Sequence, residues 1–242
     1  MVGKREPAGA QGLPLSEKWS SISALLDMTR LHEAELHVGC AWLMLLVGAV
    51  VLAVELGGWV PAMYGRYSPG QGSRWLGPLL PAWTAWVFQE SWSVTVALAL
   101  IWFGDPACMI SLPNQVLGAM FLTHYVYRAF IYPFRMRGGK PMPLIICLLA
   151  STFCAFNGYL QARLWTHLHV YTIDSASDVL CLTCGATMWL AGWYINLDSD
   201  AILRNLRKPG ETGYKIPRGG MFEYVSGANY LGEFIEWSGY AI

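Results

Sequence analysis

Charge is scarce in this chain: Asp, Glu, Lys and Arg make up 13% of its 242 residues, about half the share of an ordinary soluble domain. So few charges cannot cover a water-exposed fold, whereas a lipid-facing surface needs none. The net charge of +0 argues for neither nucleic acid nor an acidic partner. No G-x-G-x-x-G follows a predicted strand and no Walker A sequence occurs, which excludes a Rossmann domain and a P-loop as far as motifs can. A nucleotide has to bind between helices instead. There is no N-x-[ST] sequon, no repeat and no low-complexity tract. The six cysteines (Cys40, Cys108, Cys147, Cys154, Cys181, Cys184) lie mainly within or beside apolar runs, as buried small residues rather than a disulfide framework. Cys181 and Cys184 form a C-x-x-C without further ligands nearby, so no metal site is expected.

Apolar residues, in contrast, make up 55% of the chain. Runs close to the roughly 20 residues that cross a bilayer occur at about 38–56, 79–103, 113–134, 142–160 and 178–197, and a sixth begins at Ala228 and meets the chain end at Ile242. The expected fold is an all-α polytopic membrane helix bundle with five complete spans and a partial sixth. Residues 1–37 read as a polar N-terminal tail and 38–242 as one membrane-embedded domain. The first run is too long for a signal-peptide core and reads as a retained signal anchor.

Basic residues set the orientation. Arg66, Arg74, Arg135, Arg137, Lys140, Arg204, Arg207, Lys208, Lys215 and Arg218 fall in alternate loops, whereas the loops of the opposite side carry only Arg163. The basic loops are expected in the cytosol and the N-terminus in the lumen, against the pull of Lys18 and Arg30 in the tail.

Ionisable groups inside spans are costly and persist when paired or used. Glu90 sits in the middle of the second run, within Phe88-Gln89-Glu90-Ser91. In the third, His124, Tyr125 and Arg128 at i, i+1 and i+4 share one helix face. A buried Tyr hydroxyl there can donate to a carbonyl; the alternative is an interfacial aromatic belt. Asn196, Asp200 and Arg204 lie on one face at the end of the fifth run, followed by the basic stretch through Arg207, Lys208, Tyr214 and Lys215. That stretch is an anion cradle for phosphates or a plain positive-inside loop. Asn229, Glu233 and Glu236 share a face of the sixth run. Those carboxylates require donors, either from an amide-rich or sugar-bearing ligand or from arginines of the basic loops.

The segments His124-Tyr125, Arg137-Gly138-Gly139-Lys140-Pro141, Asn157-Gly158-Tyr159-Leu160-Gln161, Ile195-Asn196 through Asp200, Leu203 through Gly210, and Gly227-Ala228-Asn229-Tyr230 through Tyr240 resemble the steroid 5α-reductases. The resemblance covers about residues 83–242 and is nearest to the type 1 enzymes. Residues 1–60 show little of it, apart from an apolar helix followed by Tyr64-Gly65-Arg66.

The resemblance implies a seven-helix enzyme of the endoplasmic reticulum membrane in androgen biosynthesis. Such an enzyme transfers hydride from NADPH to C5 of a 3-oxo-Δ4 steroid, such as testosterone or progesterone, and a proton is added at C4. It assigns Glu90 and Tyr125 to the 3-keto oxygen. It assigns Asn196, Asp200, Arg207, Tyr214, Asn229, Glu233, Arg137 and Lys215 to the cofactor. Spacing on one face with Glu90 places Trp86 along the steroid slot.

Two departures stand out. The family has Gln-Glu-Leu-Pro-Ser where this chain has Gln89-Glu90-Ser91-Trp92-Ser93. The family also continues past Tyr240 with a seventh span and a His-His-x-x-Tyr segment, so a chain truncated in its cofactor pocket is expected. The alternatives are an enoyl-CoA or polyprenol reductase of the same superfamily, or an inactive truncated isoform acting only as a membrane interaction partner.

Overall fold

The computed structural model describes residues 15–58, 75–208, 211 and 213–242. Arg66, Arg74, the Tyr64-Gly65-Arg66 segment and Pro209-Gly210 therefore lie outside the described residues. The chain forms two units, Met1–Val50 and Val51–Ile242. Most of helix α1 (Leu15–Leu56) belongs to the first.

The second unit is built of α2 (Ala82–Trp102), α3 (Pro106–Ile110), α4 (Leu112–Val126), α5 (Tyr132–Arg135), α6 (Leu144–Arg163), α7 (Ala176–Asn205) and α8 (Ala228–Ala241). Among the described residues the only strands are the two-residue β1 (Leu79–Leu80) and β2 (Met142–Pro143), so the fold is all-α as expected. Every apolar run expected to span falls on helix. Among the described residues three helical segments, His32–Leu56, Leu144–Leu168 and Ala176–Asn205, are long and apolar enough to cross a membrane by length and composition.

The antiparallel β1–β2 pair joins Leu79 to Pro143 and Leu80 to Met142, immediately before α2 and α6 begin. It therefore starts both helices at one level, and they run parallel. Cys147 donates to the Ala85 carbonyl at 3.6 Å, and about two turns on Ser93 donates to the Cys154 carbonyl at 3.1 Å. Gly158 lies against the Ser93 backbone, where a Cβ would stand 3.1 Å from its carbonyl oxygen.

Helix α4 runs back between them, opened by Ser111, whose hydroxyl accepts from the Asn114 N–H. It passes into a π-helical turn, Tyr127–Ile131, and then into α5. Pro133 gives the reason. A proline inside a helix has no N–H to donate and crowds the carbonyl four residues back, and a widened turn before it relieves both. A second π turn, Leu164–Leu168, ends α6. Asn114 closes that end by donating to the Trp165 and His169 carbonyls at 2.8 and 2.7 Å while accepting from the Tyr171 N–H.

Helix α7 opens on a capping box in which Ser175 and Asp178 satisfy each other's backbone N–H groups. It packs antiparallel on α8 along a seam of four glycines. Gly192 faces Gly232 and Glu236, and Gly185 faces Gly239. A Cβ on Gly192 would stand 2.2 Å from the Glu236 nitrogen and one on Gly232 2.5 Å from the Asn196 nitrogen, so the two backbones touch directly, as small-residue seams allow in lipid.

Those separations predict that Gly192→Ala forces the helices apart. The expected cost is about 1–3 kcal/mol, measured as a lower unfolding temperature of detergent-solubilised protein. Gly48→Ala, where a Cβ meets open space, is expected to leave that temperature unchanged.

Candidate functional site

A cavity of about 650 Å³ lies between α2, α4, α6 and α8, within the roughly 300–1,000 Å³ typical of small-molecule sites. Its walls are apolar and aromatic (Leu117, Phe153, Leu164, Trp165, Trp237, Tyr240), and the polar groups that enter it include Glu90, His124, Tyr125, Arg128, Asn157 and Glu233. The face predicted at His124, Tyr125 and Arg128 therefore lines the cavity rather than an interfacial belt.

Tyr125 is 8% exposed and its ring is fixed by neighbours, with centroids 4.6 Å from Phe121 and 5.8 Å from Trp237. Its phenolic oxygen accepts a hydrogen bond from the Asn157 amide at 2.8 Å. Glu90 reaches the same cavity from α2, and its Oε2 accepts from the Cys154 thiol at 3.8 Å. Cys154 and Asn157 are three residues apart on α6 and so share one face. That helix thus holds both candidate catalytic groups.

Deeper toward α7 the site is ionic. Arg128, carried by the π turn, lies 3.6 Å from Asp200 and 3.9 Å from Glu233. Its guanidinium sits over the rings of Trp86, 5.0 Å away, and Tyr132, 4.7 Å away, two neighbouring rings that offer it cation–π contacts. Asn196 donates to the Asn229 carbonyl at 3.1 Å and to Glu233 at 3.2 Å. Glu236 is fully buried and shares a hydrogen bond of 2.8 Å with His124, whose ring packs on Trp237. The partners that the carboxylates of α8 require therefore come from α4, its π turn and α7, not from the basic loops.

Of the residues assigned from sequence, Glu90 and Tyr125 share the cavity, while Asn196, Asp200, Asn229 and Glu233 gather beside it at the α7–α8 seam. Trp86 does not line the cavity. It lies one turn nearer the start of α2, against Tyr132 of α5, with ring centroids 5.5 Å apart. Arg137 is exposed in the loop before β2. Arg207 donates to the Gly213 carbonyl at 2.7 Å, and Tyr214 is 72% exposed. Lys215 pairs with Glu211, a bond that holds the Glu211 carboxyl below the usual carboxylate range.

The site residues that sequence reasoning left unassigned are Arg128, Asn157, Glu236 and Trp237. Asn157 carried the same signal as Glu90, a polar side chain within an apolar run. Trp237 carried none.

An all-α membrane bundle that gathers a carboxyl, a phenol and a guanidinium around one internal cavity defines a membrane-embedded enzyme. A family model described as 3-oxo-5-alpha-steroid 4-dehydrogenase matches residues 140–242. The chain is 48% identical over 221 residues to the 3-oxo-5-alpha-steroid 4-dehydrogenase 1 of Macaca fascicularis, covering 91% of this chain and 81% of that protein. It is 49% identical over 220 residues to the protein of that name from Bos taurus, covering 90% and 79%. To the 3-oxo-5-alpha-steroid 4-dehydrogenase 2 of Rattus norvegicus it is 40% identical over 211 residues, covering 87% and 79%. The chain belongs to the 3-oxo-5-alpha-steroid 4-dehydrogenase family.

Arg128 neutralises two carboxylates at once, so Arg128→Met leaves both uncompensated. It is expected to destabilise the protein by about 3–5 kcal/mol, read as loss of folded protein on size exclusion in detergent. Arg128→Lys keeps the charge but not the planar fork, and is expected to fall between the two.

Proposed function

We propose that the protein reduces the Δ4 double bond of 3-oxo steroids to the 5α-3-oxo products, with NADPH as reductant. The observation that carries this reading is the Tyr125 hydroxyl. Its oxygen already accepts from Asn157 and its hydroxyl lies beside Ser93 at the cavity, so a ligand oxygen there can take the phenolic proton.

NADPH supplies the hydride that arrives at C5 when it is bound. As the hydride arrives, the C4–C5 π bond breaks and its electrons move through C3 onto the 3-keto oxygen. Tyr125 donates to that oxygen, where charge develops, and a preoriented donor in a water-poor site stabilises it most. A carboxyl donates only through its O–H, so Glu90 acts on the same oxygen as the acid. The enol then gives its O–H proton back to Glu90 as its electrons return to C4, which takes a proton from the medium.

The residues present fit a dinucleotide. Asp200 Oδ2 and Arg204 Nη1 are buried without a hydrogen-bond partner, Asn196 lies one turn away on the same helix, and Asn229 and Glu233 lie across the seam. Such a set of carboxylates and amides suits ribose hydroxyls and amides. Arg207, Tyr214 and Lys215, with Arg137 across the same end of the bundle, would serve the phosphates. Helix direction supports this. Helix α4 is antiparallel to both α6 and α8, so the loops before β2 and before α8 emerge at one end. We place that end in the cytosol and the N-terminus in the lumen of the endoplasmic reticulum.

Tyr125→Phe is expected to lower kcat by about 100- to 1,000-fold with cofactor affinity unchanged. Glu233→Gln is expected mainly to weaken cofactor affinity. Measured by NADPH fluorescence and steady-state turnover with testosterone, an affinity loss in Tyr125→Phe, or none in Glu233→Gln, would overturn these roles.

A further inference from the structure

Tyr125 and Glu90 come from different helices, where Phe121 packs on the one and Gln89 bonds the other. Both are held from one face of α6, Glu90 by the Cys154 thiol and Tyr125 by the Asn157 amide. The second contact has a direction. An amide N–H that donates to a phenol oxygen occupies one of its lone pairs and repels a second approaching donor, so the phenol's own proton turns away from Asn157. Phe121 and Trp237 flank the ring, so that proton faces the Ser93 hydroxyl and the cavity shared with Glu90. A donated hydrogen bond also polarises the O–H that it reaches, as chains of such bonds do in a low-dielectric interior.

We infer that Asn157 is a positioning residue for the reduction, fixing the Tyr125 hydroxyl as a donor toward the carbonyl oxygen of the bound substrate. This rests on the role of Tyr125 proposed above. Asn157 acts through Tyr125 and touches no reacting atom. Reversing the polarity of the contact is therefore the informative change. In Asn157→Asp, assayed at a pH high enough to ionise the new carboxyl beside Glu90, the side chain only accepts, so it draws the phenolic proton to itself and away from the substrate. Shape and volume at the position are nearly unchanged, whereas Asn157→Leu removes the contact altogether.

The test is a double-mutant cycle between positions 157 and 125 in the full chain. Turnover with NADPH and testosterone is read beside cofactor affinity and the size-exclusion profile in detergent. A general acid contributes about 100- to 10,000-fold in rate. Losing its orientation is expected to cost part of this, about 10- to 100-fold in kcat for Asn157→Asp, with cofactor affinity and profile intact. In the Tyr125→Phe background the same substitution is expected to cost less than about twofold more, because there is no proton left to orient.

Asn157→Asp with wild-type turnover would overturn the inference, and so would a full loss that persists without the Tyr125 hydroxyl. If Asn157→Asp does not fold, Asn157→Leu read in the same cycle decides by the same two criteria. Should Tyr125→Phe itself leave turnover unchanged, it is the role of Tyr125 that fails, and the inference falls with it.

Discussion

Backbone contact between α7 and α8 is the constraint on which the site depends. Four glycines, seven residues apart on each helix, let the two chains meet without side chains between them. At that separation Asn196 bridges to Asn229 and Glu233, and Asp200 comes to face the same arginine as Glu233. Lipid offers no hydrophobic drive for pairing helices, so close packing and the polar contacts it permits must hold them. The seam supplies the first and the amide–carboxylate set the second. Any residue larger than glycine on it would separate the polar groups as well as the helices.

Arg128 links that seam to the cavity. Two buried carboxylates near each other are unfavourable unless a cation lies between them, and a guanidinium is suited to the task because its fork serves two partners while its faces stack on rings. The π turn that carries it follows from Pro133, so a local backbone requirement and a placement for charge have one solution. π turns of this kind occur often at functional sites. On the other wall, α6 is parallel to α2 and antiparallel to α4, an arrangement that the short β1–β2 ladder starts in register. One face of α6 can then reach Glu90 and Tyr125 together.

The helices were legible because apolar runs of bilayer length have few other uses, and each predicted run is helical. Glu90, Tyr125, Asn196, Asp200, Asn229 and Glu233 were legible by the reverse signal, polar groups where lipid makes them costly. Partnership was less so. The run of carboxylates on α8 showed that donors were required, but periodicity describes one helix at a time and did not show that His124 and Arg128 would supply them. The glycines of the seam sit among others with no such role, such as Gly48, and only the facing helix distinguishes them. Trp86 shares a face with Glu90, yet one turn along α2 changes its neighbour from the cavity to Tyr132. The loop residues Arg137, Arg207, Tyr214 and Lys215 carry no period, so basic composition left the last three as an anion cradle or a plain loop, and the resemblance chose between them.

The central claim is that this chain reduces a 3-oxo-Δ4 steroid in the cavity between α2, α4, α6 and α8. The direct measurement is isotope transfer in microsomes that express the chain, with testosterone and NADPH deuterated at the transferable position of the nicotinamide. The account predicts a 5α-reduced product carrying one deuterium at C5, formed by the wild type and greatly reduced in a Tyr125→Phe control at equal expression. Folded protein at good expression that yields no such product, or product with the label elsewhere, would contradict it.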